Sequence, residues 1–326
     1  MNRLSSIDKL RAIAASLVLY FHTTNTVNNY PTELFLRNSG KYGHHGVEIF
    51  FVISGFIILY SMWMAGFVFR TDIGKFIAKR LLRVEPPYIA SIIFTIAIGL
   101  IANAAYGKNL YVYTLPQVAS HLFYLTGFLG YEWVNPVYWT LAIEFQFYIF
   151  LALLYPLVIN PSDRIFLFVI IAWLFFASGE WANGTLIAYL PLFAMGMVSA
   201  LGKMGSVSLQ SAYVLLALFF LGGAWKLGYI VAVLGGLTAF ILLTGTRIPH
   251  LPGLQLFGLI SYSVYLFHYP IVEKLIRFSK VFGYNIFTQV SAVIFAMLFA
   301  SLVSWMAYIL LERPSILMAG RIKYSK

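Results

Sequence analysis

The chain has 326 residues, of which 61% are hydrophobic and only 10% charged, and its mean hydropathy is +0.83. A soluble domain carries about 45–50% apolar and about 25% charged residues, so a soluble fold is excluded and lipid must cover much of the surface. Twenty-two Lys and Arg against 11 Asp and Glu give a net charge of +11. Most of the basic residues fall between apolar runs, which makes the excess a topology signal before it is anything else, and no nucleic-acid partner is implied. The absence of cysteine excludes disulfides, thiolate metal sites and an acyl-cysteine intermediate.

A bilayer core takes about 20 apolar residues as helix. Ten runs of that order lie at about 11–29, 46–66, 86–104, 138–159, 164–180, 185–201, 208–224, 227–244, 255–273 and 287–311. An even number puts both termini on one side, and fifteen of the 22 Lys and Arg then share that side against seven opposite. The positive-inside rule makes it the cytoplasm. The expected fold is therefore an all-α integral membrane protein of about ten transmembrane helices with both termini cytoplasmic. It forms one transmembrane domain over residues 1–326, with no fused soluble domain. One apolar segment near 119–131 is too short to cross and is expected to re-enter or to lie at the interface.

The first span is preceded by Arg3, Lys9 and Arg11, as a signal peptide would be. The polar residues Thr23 to Asn29 follow it without a small-residue cleavage site, so it reads as a retained helix. Arg11 and His22 are eleven steps apart, which is three turns plus about 20° and about 16 Å of rise. They share one face at two depths. Position alone equally fits a snorkelling arginine and a core histidine. The second span opens GVEIFFVISGF at 46–56, with Glu48 near its outer end and Ser54 among small residues suited to close packing. Glu48 is placed at the height of His22, where a carboxylate would fix the imidazole's tautomer, or else it is an interfacial, solvated side chain.

Arg70 to Arg83 contains Lys75, Lys79, Arg80 and Arg83 with only Asp72 as counterweight. Arg80 and Arg83 stand i,i+3 on one helix face, a pair able to fork onto phosphate oxygens. Charge density by itself favours an anchor on anionic headgroups. WTLAIEFQFYIF at 139–150 buries Glu144 beside Tyr148, and a buried Glu needs a donor, expected from a basic residue. SYSVYLFHYP at 261–270 carries Ser261, Tyr262, Ser263 and His268, whose hydroxyls serve equally as interhelical glue. LERP at 311–314 ends the last run, with Pro314 as a stop. No metal site is expected, since the adjacent His44 and His45 lack further ligands.

Taken in order, LSSIDKLRAIAASLVLYFH, GVEIFFVISGF, RLLRVEPPY, WTLAIEFQFY, SYSVYLFHYPI and LERP resemble the acyltransferase family 3 membrane proteins. That group includes O-antigen and exopolysaccharide O-acetyltransferases. The resemblance runs over nearly the whole chain, and it shifts the weight at both the first span and the paired arginines toward function. It implies that the family's Arg, ten residues, His motif falls on Arg11 and His22, and its paired-arginine motif on Arg80 and Arg83. It implies that the acidic residues of its second- and fourth-span motifs fall on Glu48 and Glu144. Glu replaces the commoner Asp at position 48, and Phe145 stands where a second Glu is often found.

The expected activity is transfer of an acyl group, acetyl first, from cytoplasmic acetyl-coenzyme A to a hydroxyl of a lipid-linked or exported glycan, in the bacterial inner membrane and among its lipids. His22 oriented by Glu48 is the expected base. Arg11, Arg80 and Arg83 are the expected donor-binding residues, with Glu144, Tyr148, Ser54, Ser261 and Tyr262 in support. The competing class is an exporter of a lipid-linked glycan or an organic acid, although no inverted repeat is visible. Tyr106, Tyr111, Tyr113, Tyr131 and Trp133 in the outer loops have faces suited to stacking on sugar rings, and belong equally to an interfacial aromatic belt.

Overall fold

The structure is a computed structural model that describes residues 5–25, 34–107, 109–160, 168, 171–172, 174–176, 178–249, 251–283 and 285–325. Among these residues there is no strand. The helices are α1 (Ser5–Asn25), α2 (Leu34–Gly40), α3 (Gly46–Met64), α4 (Phe69–Tyr106), α5 (Leu115–Leu122), α6 (Trp139–Ile159), α7 (Leu186–Lys203), α8 (Leu209–Lys226), α9 (Tyr229–Thr244), α10 (Leu254–Leu259), α11 (Ser261–Ser279), α12 (Ile286–Ala307) and α13 (Arg313–Arg321). A 3₁₀ turn, Lys41–His45, precedes α3, and a π turn, Tyr308–Glu312, joins α12 to α13. Local chemistry sets several ends. Ser208 Oγ accepts from Ser211 N at 3.0 Å at the start of α8, and Asn285 Oδ1 accepts from Thr288 N at 2.9 Å at the start of α12.

Six segments among the described residues are long and apolar enough to cross a bilayer: Phe35–Met64, Phe69–Tyr106, Pro136–Ile159, Leu186–Lys203, Leu209–Lys226 and Ile286–Arg321. The protein is an integral membrane protein, and all six contain or match expected spans. Four of the ten expected spans are not among them, for identifiable reasons. Helix α1 carries Asp8, Lys9 and Arg11, and α11 carries Glu273, Lys274 and Arg277, which lowers the apolarity of each. Helix α9 has only 16 residues. The run 164–180 is described only in pieces, at 168, 171–172, 174–176 and 178–180. Apolar side chains stay exposed on α8 and α12, among them Leu218, Leu221, Ile294, Phe295 and Leu298, as a lipid-solvated face requires.

Interior contacts rest on small residues. Where α3 crosses α7, a Cβ on Gly55 would collide with the carbonyl oxygen of Phe193, and one on Gly196 with that of Val52. The two backbones touch, which in lipid replaces the hydrophobic driving force available in water. A rigid carbonyl cannot step aside, so Gly55→Leu is expected to cost about 3 kcal/mol or more. Size-exclusion of the detergent-solubilised variant checks this: aggregation or loss is expected, whereas Gly74→Leu, where an added Cβ meets nothing, stays monodisperse.

In the short segment near 119–131, Ser120, His121, Tyr124 and Thr126 are buried while Leu122, Phe123, Leu125, Phe128 and Leu129 stay exposed. After α5, Tyr124 takes a left-handed conformation with φ 57°. Its buried ring stacks between Tyr88 and Phe145 at 5.3 and 4.6 Å, and its hydroxyl donates to Glu85 Oε1 at 2.6 Å. At the other end of α4, the C-terminal tail folds back. Ser325 N donates to Asp72 Oδ1 at 2.8 Å, and Lys79 lies 5.1 Å from the centre of the Tyr324 ring.

Candidate active site

A cavity of about 100 Å³ opens between α1, α3, α4, α6 and α11. Its polar lining is Arg11, Arg80, Arg83, Glu144 and Glu312, with Ser54, Thr140, Tyr148, Ser261, Tyr262 and Tyr265. Eight of the ten residues singled out in the sequence thus meet in one place. Arg11, on α1, donates from Nε to Ser261 Oγ at 3.1 Å, and Ser261 is itself anchored on Gly258 O at 2.8 Å. Arg80 and Arg83 project from one face of α4. Arg80 Nη2 donates to Ser61 Oγ at 3.2 Å, its guanidinium lies 5.2 Å from the Phe76 ring and 5.5 Å from the Tyr148 ring, and its Nε is buried without a hydrogen-bond partner among the described residues.

Three guanidinium groups therefore face two carboxylates, and both carboxylates are taken up by neutral donors. Glu144 Oε1 accepts from Ser54 Oγ at 2.7 Å, so its donor is a serine and not the basic residue expected from the sequence. Glu312 Oε2 accepts from Ser263 N at 3.1 Å and from Ser263 Oγ at 2.6 Å. Among the described residues none of the three arginines forms an ion pair. A pocket with a net positive lining and an unsatisfied guanidinium nitrogen is chemically an anion site. Tyr262 donates to Val84 O at 3.0 Å, and Tyr265 bonds Thr140 Oγ1 at 2.7 Å and Val137 O at 3.1 Å, tying α11 to α4 and α6 across the cavity. The hydroxyls of this run are both interhelical ties and cavity lining.

Glu48 and His22 do not line the cavity, and they do not meet each other. Helix α3 runs antiparallel to α1 with Gly46 packed against Ala14 and Val18. That register sets Glu48 level with about residue 14 of α1, so His22 stands eight residues, about 12 Å, beyond it. The expected Glu48–His22 pair is thereby replaced. Glu48 Oε1 instead takes His45 Nδ1 at 3.3 Å, and its Oε2 is buried without a hydrogen-bond partner among the described residues. His22 packs against His268, with ring centres 5.2 Å apart, and against Tyr269 at 5.1 Å. His268 lies on α11 less than one turn beyond Tyr265, which lines the cavity.

Two groups near the site carry no signal of their role in the sequence, Glu312 and His268. In the sequence Glu312 reads only as part of a helix stop, because a π turn that swings it into the bundle leaves no pattern in composition; such turns are frequent at functional sites. His268 was noted without a role. Of the outer-loop aromatics, Tyr111 has its ring covered by Lys274 Nζ at 3.7 Å and its hydroxyl on Glu273 Oε1 at 2.7 Å, so its face is not open to a sugar. No group of three or more His, Asp or Glu arranged to hold a metal occurs among the described residues.

The sequence profile of the acyltransferase domain family, acyltransferase family 3, matches residues 4–309. The chain belongs to this family, and it is a membrane acyltransferase. It is 28% identical to BcsY of Komagataeibacter xylinus, provisionally named a membrane-bound transacylase, over 97% of this chain and 83% of that one. It is 29% identical to the exopolysaccharide production protein ExoZ of Rhizobium meliloti (strain 1021), over 87% of this chain and 94% of that one. No solved structure matches the chain significantly.

Proposed function

We infer that the protein transfers an acyl group, acetyl first, from cytoplasmic acyl-coenzyme A to a hydroxyl of an exported or cell-envelope glycan. In this reading the chain spans the bacterial cytoplasmic membrane about ten times with both termini cytoplasmic. The observation that carries the reading is the cavity with three half-buried arginines that form no ion pair among the described residues. Arg80, Arg83 and Arg11 hold the phosphates of the donor, a role matched to charge-assisted, bidentate hydrogen bonds. The thioester arm then extends past Ser54, Glu144, Tyr148 and Tyr262 toward His22. His22 removes the proton of the acceptor hydroxyl as its oxygen attacks the thioester carbonyl, while Ser261 and Tyr262 keep Arg11 and α11 in place. Glu48, held by His45, marks the acceptor's side of the site. The glycan acceptor follows from the kinship with the exopolysaccharide production protein and from the need to modify a molecule that leaves the cell.

Membrane vesicles given acetyl-labelled acetyl-coenzyme A test this directly. Label is expected in covalently modified glycan, identified by mass spectrometry of the polysaccharide with and without the protein. Movement of glycan or organic acid across the vesicle with no covalent label would instead identify a transporter.

A further inference from the structure

His268 is completely buried on α11. Its Nδ1 faces two backbone carbonyls one turn back, Val264 O at 2.8 Å and Tyr265 O at 3.0 Å. Carbonyl oxygens only accept, so Nδ1 must carry the hydrogen and Nε2 must carry the lone pair. That Nε2 is buried and has no hydrogen-bond partner among the described residues. A buried, unsatisfied acceptor is destabilising, and one kept in a native structure calls for an explanation, a role in catalysis among them.

The neighbouring group able to do so is His22. Its ring centre lies 5.2 Å from that of His268, with the planes at 46°. Two imidazoles have about this centre separation when a ring nitrogen of one faces a ring nitrogen of the other across about 3 Å. The broad two-fold χ2 torsion of histidine allows the remaining alignment at little cost. Each imidazole also has a tyrosine near it: Tyr269 lies edge-on to His22 at 5.1 Å, and Tyr265 lies 6.2 Å from His268. The other titratable and charged groups facing the pair are His44, whose ring lies 5.2 Å from that of Phe21 next to His22, and, through His45, Glu48. Neither carboxylate of the cavity reaches the pair.

We propose that His268 is the positioning residue for His22: its Nε2 accepts a hydrogen bond from one ring nitrogen of His22 and so turns the other toward the acceptor hydroxyl. The role assigned to Glu48 by the sequence thus passes to a neutral imidazole. In the reaction the O–H bond of the acceptor breaks and its proton bonds to the other ring nitrogen of His22. The oxygen's electron pair forms the new bond to the thioester carbonyl carbon, the C–S pair leaves on sulfur, and the thiolate takes the proton back from the imidazolium. While His22 is positive, its N–H to His268 Nε2 is a charge-assisted bond, stronger than in the resting state.

This rests on the reading of His22 as the base. The test compares His268→Phe, which fills the volume and cannot accept a hydrogen bond, with His268→Gln, whose amide oxygen can. With purified protein, acetyl-coenzyme A and the glycan acceptor, His268→Phe is expected to lower kcat about 10²-fold with KM for the donor within about twofold. His268→Gln is expected to recover at least part of that loss. Full kcat in His268→Phe, or an equal loss in both variants, or a loss carried by KM, overturns the proposal. His22→Ala, run alongside, separates the two failures: full activity there sinks the base assignment itself, whereas an inactive His22→Ala beside an unaffected His268→Phe sinks only the role of His268.

Discussion

Replacing Arg80 and Arg83 together by alanine is expected to weaken binding of coenzyme A by about 10²-fold or more. The two arginines stand one turn apart on α4 and line the cavity with Arg11, and neither forms an ion pair among the described residues. A hydrogen bond to a charged group contributes about 1.5–3 kcal/mol. Two such bonds lost amount to about 3 kcal/mol at the low end, which is a little over 10²-fold in Kd. Isothermal titration of the purified double variant with coenzyme A measures it. The other reading of these charges is an anchor on anionic headgroups, and it makes a different forecast. An anchor acts through total charge, so exposed Arg70 on the same helix would matter as much as Arg80. Arg70→Ala with wild-type affinity and the double variant with weakened affinity support a phosphate site. Equal effects from both would return the arginines to the lipid surface.

The double variant carries a structural risk that can be resolved within the same experiment. Arg80 packs between Phe76 and Tyr148 and holds Ser61, so its aliphatic stem contributes to packing as well as charge. Arg80→Lys keeps a positive charge and much of the stem but loses the planar fork and the second donor direction. A partial loss of affinity in that variant, with unaltered thermal stability, assigns the effect to phosphate recognition.

Why the cavity's membership could be read from the chain while its wiring could not has a physical answer. Arg11, Arg80, Arg83 and Glu144 are ionisable groups inside or beside apolar runs, and the cost of facing lipid forces such groups inward; once inward in a bundle this small, they converge. Pairing is different. It depends on the heights at which helices cross, and these are set by small residues such as Gly46 against Ala14 and Val18. A shift of a few residues there decides whether Glu48 meets His22 or His45, and no periodicity in either helix records it. Glu144 shows the same limit from the other side: the need for a donor was legible, but not that Ser54, 90 residues away, would supply it. Glu312 depends on a π turn, and the lone pair of His268 depends on two carbonyls of its own helix. Both are details of backbone geometry. Apolarity and length mark six of the ten expected spans, for a related reason. Charges on α1 and α11 that belong to the site's surroundings make those two helices poor spans by apolarity alone, although each packs inside the bundle.

His22→Ala is expected to reduce kcat for transfer to the glycan by about 10³-fold, within the 10²–10⁴ that general acid–base catalysis supplies, while coenzyme A binds as in the wild type. The separation of the two effects follows from the geometry. Arg11, which bonds Ser261 at the cavity, and His22 lie on the same face of α1 with about 16 Å between their positions along the axis. A side chain deleted at one end of that distance does not touch phosphates held at the other. The imidazole is also replaceable by something small without collapse, because its neighbours Phe21, His268 and Tyr269 each belong to a helix fixed elsewhere. Stopped assays with labelled acetyl-coenzyme A give kcat, and titration with coenzyme A gives Kd. Wild-type turnover would remove His22 from the chemistry and leave the Ser54–Glu144 pair, already in hydrogen-bond contact inside the cavity, as the group to test next for an acyl-serine route, in which the hydroxyl attacks first and the glycan second.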